Sequence, residues 1–134
     1  MQTRELKQRP VFSCAAVALV KEGEKILFLE RINAAKQLEL VLPGCELEPG
    51  ADPVGSLTAA VRMQTGIDGQ VMGVARDERV NVGSRKNRKM VPLLVFKVVA
   101  KSNRVVLGAG FAGFKWLFPI EARKKKLAKN AAWV

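Results

Sequence analysis

The sequence predicts an α+β domain in which a mixed β-sheet is covered by helices. Three observations predict it. Strand-like apolar runs outnumber helical ones, and the helical segments are separated rather than regularly interleaved with strands. The length, 134 residues, suffices for one core and not for two ordinary ones. No repeat, low-complexity tract or linker rich in Pro, Gly or Ser interrupts the chain, so residues 1–134 read as a single domain with a core over about 11–127.

The elements follow in order. Val11 to Val20 is an apolar run bounded by Pro10 and the turn Lys21-Glu22-Gly23-Glu24, and Ile26 to Glu30 alternates as a second strand, which makes a hairpin. Leu40-Val41-Leu42 is short and stops at Pro43-Gly44. After a Pro- and Gly-rich segment from Pro43 to Pro53, Val54, Leu57, Val61 and Gln64 or Thr65 recur at three- and four-residue steps, an amphipathic helix stopped by Gly66. Val71 to Val82 and Met90 to Ala100 read as two longer strands around the polar loop Gly83 to Lys89. Arg104 to Leu107 and Phe114 to Phe118 read as short strands, and Pro119-Ile120 leads into a basic helix of about ten residues, Glu121 to Asn130.

Composition excludes several kinds of chemistry. The chain has no His and no Tyr, which removes imidazole bases, His metal ligands and phenols, and with them zinc sites of the usual kind. Cys14 and Cys45 are far apart in sequence with no CxxC spacing, so both are expected to be free thiols in a reducing compartment. No apolar run approaches the roughly 18 residues that cross a bilayer. Met1 to Pro10 lacks the apolar stretch of a secretory signal, and a cytoplasmic location is the expectation.

Charge is unevenly placed. Residues 1–78 carry 9 Lys/Arg against 11 Asp/Glu, whereas residues 79–134 carry 14 Lys/Arg and one acid, Glu121. A half with a net charge of +13 suits phosphates, whether of a nucleotide, a nucleic acid or an anionic surface. A solubilising basic surface, or a face neutralised by an acidic protein partner, are the alternatives. Arg79, Arg85, Lys86, Arg88 and Lys89 cluster on and beside one loop. Arg123, Lys124, Lys125, Lys126 and Lys129 form the second basic group, and Phe111, Phe114, Trp116 and Phe118 lie between the two among glycines. Those rings suit base stacking, or else one face of a strand packed in the core. Trp133 is either docked on its own domain or presented to a partner.

The segment Leu42-Pro43-Gly44-Cys45-Glu46-Leu47-Glu48-Pro49-Gly50, followed by the helix and by Gly66-Ile67, resembles the Nudix family, whose signature is G-x5-E-x7-R-E-U-x-E-E-x-G-U with U a bulky apolar residue. The frame fits without a gap and puts Cys45 on the first glycine and Val61 on the inner apolar position. Lys115-Trp116-Leu117-Phe118-Pro119-Ile120 is similar to the family's late strand and last helix. The resemblance implies the Nudix fold, an α/β/α sandwich, and a helix whose glutamates hold Mg²⁺ for hydrolysis of a nucleoside diphosphate linkage.

In that frame the motif's first Glu is Ala51, its Arg is Ala59, and its three helix glutamates are Ala60, Met63 and Gln64. Residues 54–65 contain no Asp or Glu, and Arg62 stands among the former ligand positions. The expectation is therefore a catalytically inactive Nudix-like domain, without cofactor or metal, that binds a phosphate-bearing ligand, with RNA or another single-stranded nucleic acid ahead of a free nucleotide. Glu48 and Asp52, with Glu46, Asp77 and Glu78, are the acids from which a relocated metal site would be built. Asp52 is otherwise the N-cap of the helix that begins at Pro53. A hydrolase with such a site, a structural subunit of a larger assembly, and a nucleotide sensor are the rival expectations. Homodimers occur in the family, and no self-complementary patch stands out in this sequence.

Overall fold

The computed structural model describes residues 14–134. Residues 1–13, which include the reading of Met1 to Pro10 and the first three residues of the expected Val11 strand, lie outside the described residues. Seven strands and two helices follow: β1 (Cys14–Glu22), β2 (Lys25–Ile32), β3 (Leu38–Val41), β4 (Gly44–Leu47), α1 (Pro53–Thr65), β5 (Gly69–Asn81), β6 (Met90–Ala100), β7 (Gly113–Leu117) and α2 (Pro119–Ala122). The sheet runs β3-β2-β1-β6-β5, with β4 also paired to β1 and β7 to β2. All pairs are antiparallel except β1 with β6, which run parallel from Ala15 opposite Leu93 to Val20 opposite Val98.

β1 organises the molecule because it is buried on both faces. Val17 and Leu19 belong to a core with Phe28, Leu42, Val95 and Ala131, while Ala16, Ala18 and Val20 pack on the opposite face with Leu27, Leu57, Val61 and Phe96. A strand covered on both sides needs apolar residues at every position, which explains the unbroken run Ala15 to Val20. α1 lies on the second face. Asp52 Oδ2 accepts from Gly55 N at 3.2 Å at its start, and Gly66, with a positive φ of 71°, ends it by donating to the Arg62 carbonyl. Outer strand β5 is interrupted by two bulges, between Val71 and Gly73 and between Val74 and Arg76, which blunt an otherwise open edge.

Four expectations are corrected. The Pro- and Gly-rich segment contains β4, whose residues pair with the start of β1. Arg104 to Leu107 is not a strand: Val106 N donates to the Thr65 carbonyl at 2.8 Å and Gly108 N to the Gln64 carbonyl at 2.9 Å, so this segment closes the end of α1 rather than extending the sheet. The basic helix from Glu121 to Asn130 is also absent. α2 stops at Ala122, and the chain then lies against β3, with Leu40 N donating to the Lys126 carbonyl at 2.9 Å and Ala128 N to the Leu40 carbonyl at 2.8 Å. Bonding to another strand has replaced bonding along a helix, because Leu127, Ala128 and Ala131 bury their side chains on the core. The core therefore extends past residue 127, to Ala131 and Trp133.

No helix among the described residues is long and apolar enough to cross a membrane.

Candidate functional site

Where β1 and β4 meet β2, β3 and the closing segment 126–130, the surface opens into a cleft of about 460 Å³. Val17, Val41, Val80 and Leu93 supply apolar walls, and Arg31, Glu39, Glu46, Lys129 and Asn130 supply polar groups. A cavity of this size with few polar groups suits a small organic ligand or one nucleotide unit.

Two amide side chains hold one wall in place. Gln64 of α1 donates from Nε2 to the Gly44 carbonyl at 2.8 Å and accepts from Gly44 N at 3.1 Å. Asn130 does the same to Leu42, donating to its carbonyl at 3.0 Å and accepting from its N–H at 3.1 Å. Pro43, with no N–H, lies between the two clamps. Gly44 is required where it stands, since a Cβ there would run into the Ala16 carbonyl oxygen.

On the β2–β3 side Glu39 accepts from Arg31 Nη2 at 2.9 Å and from Asn33 Nδ2 at 3.1 Å. Burial raises the pKa of Glu39, but the hydrogen bonds from Arg31 and Asn33 and the charges of Arg31 and Lys126 outweigh it and hold the carboxyl below its ordinary value. Glu39 is thus ionised at neutral pH. Cys45 faces the same cleft, and burial, then proximity to Cys14, push its thiol upward. It stays protonated at pH 7, and a protonated thiol is a poor nucleophile. Both cysteines are free, and strand pairing makes them neighbours although they are distant in sequence.

The first basic group forms one hairpin tip. Arg79 lies on β5 opposite Pro92, and exposed Arg85, Lys86, Arg88 and Lys89 lie on the connection to β6. Asn81 shapes that connection, its Oδ1 accepting from Gly83 N at 3.0 Å and Lys89 N at 2.9 Å. Lys129 Nζ donates to the carbonyls of Asn81 at 3.0 Å and Gly83 at 3.3 Å, so the closing segment is fastened to the base of the basic hairpin at the cleft. Lys124, Lys125 and Lys126 are exposed on the turn after α2, and Lys126 is close enough to act on Glu39.

Sequence reasoning missed Arg31, Glu39, Asn130 and the clamp role of Gln64. Their signal is pairing across up to 88 residues, which local spacing does not carry. Trp133 is docked on its own domain, its Nε1 donating to the Asn130 carbonyl at 2.7 Å and its ring 5.2 Å from the Arg76 guanidinium.

The positions singled out in the sequence present no carboxylate. Ala51 and Ala59 are exposed, Ala60 is half-buried, Met63 is 76% exposed, and Gln64 is occupied by Gly44. Asp52 is engaged as the N-cap of α1, and Glu48 is exposed on the preceding turn. Among the described residues no three Cys, Asp or Glu side chains are grouped to hold a metal ion.

No protein-family model matches the chain, and no curated protein sequence matches it. Solved structures do match. A Nudix hydrolase from Nitrosomonas europaea superposes with a TM-score of 0.70 at 20% identity, over 86% of this chain and 78% of that one. The MutT protein from Methanosarcina mazei Go1 gives 0.69 at 20% identity, over 91% and 88%. An ADP-ribose pyrophosphatase from Streptococcus suis 89-1591 gives 0.65 at 12% identity, over 91% and 84%. At these identities the likeness is one of backbone architecture: a mixed sheet built on a doubly buried β1, with α1 on one face, is in this chain the Nudix fold.

Proposed function

We propose that this chain is a non-hydrolysing Nudix-fold module that binds single-stranded nucleic acid, RNA ahead of DNA, along the basic rim of its cleft. One observation carries the reading. Lys129, which lines a cleft of nucleotide size, ties the closing segment to the base of the hairpin whose tip carries Arg85, Lys86, Arg88 and Lys89. Backbone phosphates would take up the cations, and the cleft would take one base or ribose.

The residues at the Nudix positions do not fit Mg²⁺. Alanine and methionine offer a hard cation no oxygen, and the amide oxygen of Gln64 is already engaged by Gly44 N. These positions therefore supply no ligand set for the family's hydrolytic step. The test is fluorescence anisotropy of labelled single-stranded RNA and a length-matched DNA duplex over a salt series with EDTA present. Binding that persists near physiological salt and prefers the single strand is expected. Replacing Arg85, Lys86, Arg88 and Lys89 by Gln should flatten the salt slope by roughly 0.7 for each phosphate that is no longer neutralised. Collapse of binding to both polymers overturns the reading, and attention passes to a free nucleotide or an acidic protein partner.

A second reading is favoured by the fold itself, because structures described as a Nudix hydrolase and an ADP-ribose pyrophosphatase are among the matches. In it the chain hydrolyses a nucleoside diphosphate linkage with a cation held by acids outside α1, Glu48 and Asp52 first. Mg²⁺-dependent turnover of such substrates that disappears in the Glu48→Ala, Asp52→Ala double variant would establish it.

A further inference from the structure

We propose that the outer edge of the sheet carries a base-stacking subsite for single-stranded nucleic acid, formed by Phe114, Trp116 and Phe118 on β7 and its extension and served by Lys25. The inference rests on the nucleic-acid reading above and adds a place where bases, rather than phosphates, are held.

Register locates the row. Val41 of β3 lies opposite Leu29 of β2, Leu29 opposite Phe114, and Leu27 opposite Trp116. Residues directly opposite one another share a face of the sheet, so all of these lie on the face to which Val41 belongs, and Val41 lines the cleft. The aromatic row thus starts near the cleft and runs away from it along one strand, with successive rings about 7 Å apart. That spacing separates the rings enough for each to receive its own base.

Exposure distinguishes this row from core. A core strand buries every second side chain, yet Phe114 is 39% exposed and Phe118 is 41% exposed, with only Trp116 packed against the cluster around Leu27 and Leu57. Among the described strands β7 pairs with β2 alone. Two accessible phenyl rings flanking a half-buried indole form a surface that any base can stack on, without regard to its hydrogen-bonding edge.

Charge selects the occupant. Lys25 Nζ lies 5.3 Å from the centre of the Phe118 ring, so a phosphate drawn to that ammonium brings its base to the ring. Of the acids nearby, Glu30 faces Lys115 at 3.9 Å, Glu121 Oε1 accepts from Phe118 N at 2.9 Å, and Glu22, opposite Lys25, accepts from Asn103, while Glu24 is exposed beside Lys25. A peptide added to the β7 edge is the competing occupant, and it would use backbone groups and apolar contact rather than ring faces.

The test uses the full chain in a Trp133→Phe background, which leaves Trp116 as the single indole of the two in the sequence. Titration with oligo(U) and oligo(A) should quench Trp116 emission with the same midpoint as anisotropy. Phe114→Leu and Phe118→Leu should each weaken binding roughly tenfold with the salt slope unchanged, Phe→Trp at either place should retain it, and Lys25→Gln should lower the slope by less than one. If the Leu variants keep wild-type affinity while the hairpin variant loses it, the stacking subsite is overturned and the nucleic-acid reading stands. If the wild type binds neither oligonucleotide, both fall. Variants are compared only after circular dichroism and melting show wild-type folding.

Discussion

In the frame of the resemblance Gln64 falls on the signature's last glutamate, and in the structure it acts as a structural amide. Both ends of its side chain bond to the backbone of Gly44, which needs a donor and an acceptor together. Gln64→Glu would remove the donor and set a carboxylate against the Gly44 carbonyl. The expected result is a loss of about 1–3 kcal/mol, read as a lower urea midpoint with an unchanged slope, and no gain of Mg²⁺-dependent hydrolysis. Cys45 gives a second residue-scale expectation. Since its thiol is held above the ordinary value, alkylation by iodoacetamide should be slower than for a free thiol at pH 7.5 and should rise with pH beyond the usual thiol range. The identities of these residues were legible in the sequence, and so was the absence of acids from residues 54–65. What Gln64 does instead was not, because its partner lies 20 residues upstream in a segment that reads as loop.

Among the elements, α1 and the long β5–β6 hairpin were legible because their signals are local. Asp52-Pro53 begins the helix and Gly66 ends it, and alternation and turn residues mark the hairpin. Replacing Asp52 by Ala should cost about 1 kcal/mol through loss of the cap, measurable as a melting shift of several degrees. The segment 121–130 misled for the opposite reason. Its run of cations favours a solvated helix locally, but three apolar residues within and after it, Leu127, Ala128 and Ala131, find burial beside β3. Tertiary packing overrode propensity. Asn130 is the residue most committed to that outcome, since Leu42 is 1% exposed and its backbone N–H and carbonyl both depend on the Asn130 side chain. Asn130→Ala should therefore destabilise by about 2–4 kcal/mol, more than an exposed hydrogen bond would, and thermal unfolding checks it.

At the scale of the whole molecule, charge and pH act together. Glu39 has a folded pKa below its unfolded value, so its contribution is present above the unfolded value, near 4.5, and is lost as pH falls through the folded one. Wild type and Glu39→Gln should differ most in melting temperature at pH 7 and converge as pH falls through the lowered folded value. High salt should narrow the difference at pH 7, because Arg31 is largely exposed and its attraction is screened. The fold class was readable from periodicity. The cleft was not, since it forms only where β1, β3, β5 and the closing segment converge.

That convergence has a consequence for how the protein is made. Asn130 and Leu42 are 88 positions apart, and everything residues 126–134 grip has been synthesised before they emerge. Until then Leu40 lacks its backbone partners, and β3 presents an unlatched edge to the surrounding medium. Without residues 126–134 the Leu40 N–H and carbonyl would lack these partners, and the edge of β3 would be open to another strand. Residues 126–130 both latch that edge and supply one wall of the cleft.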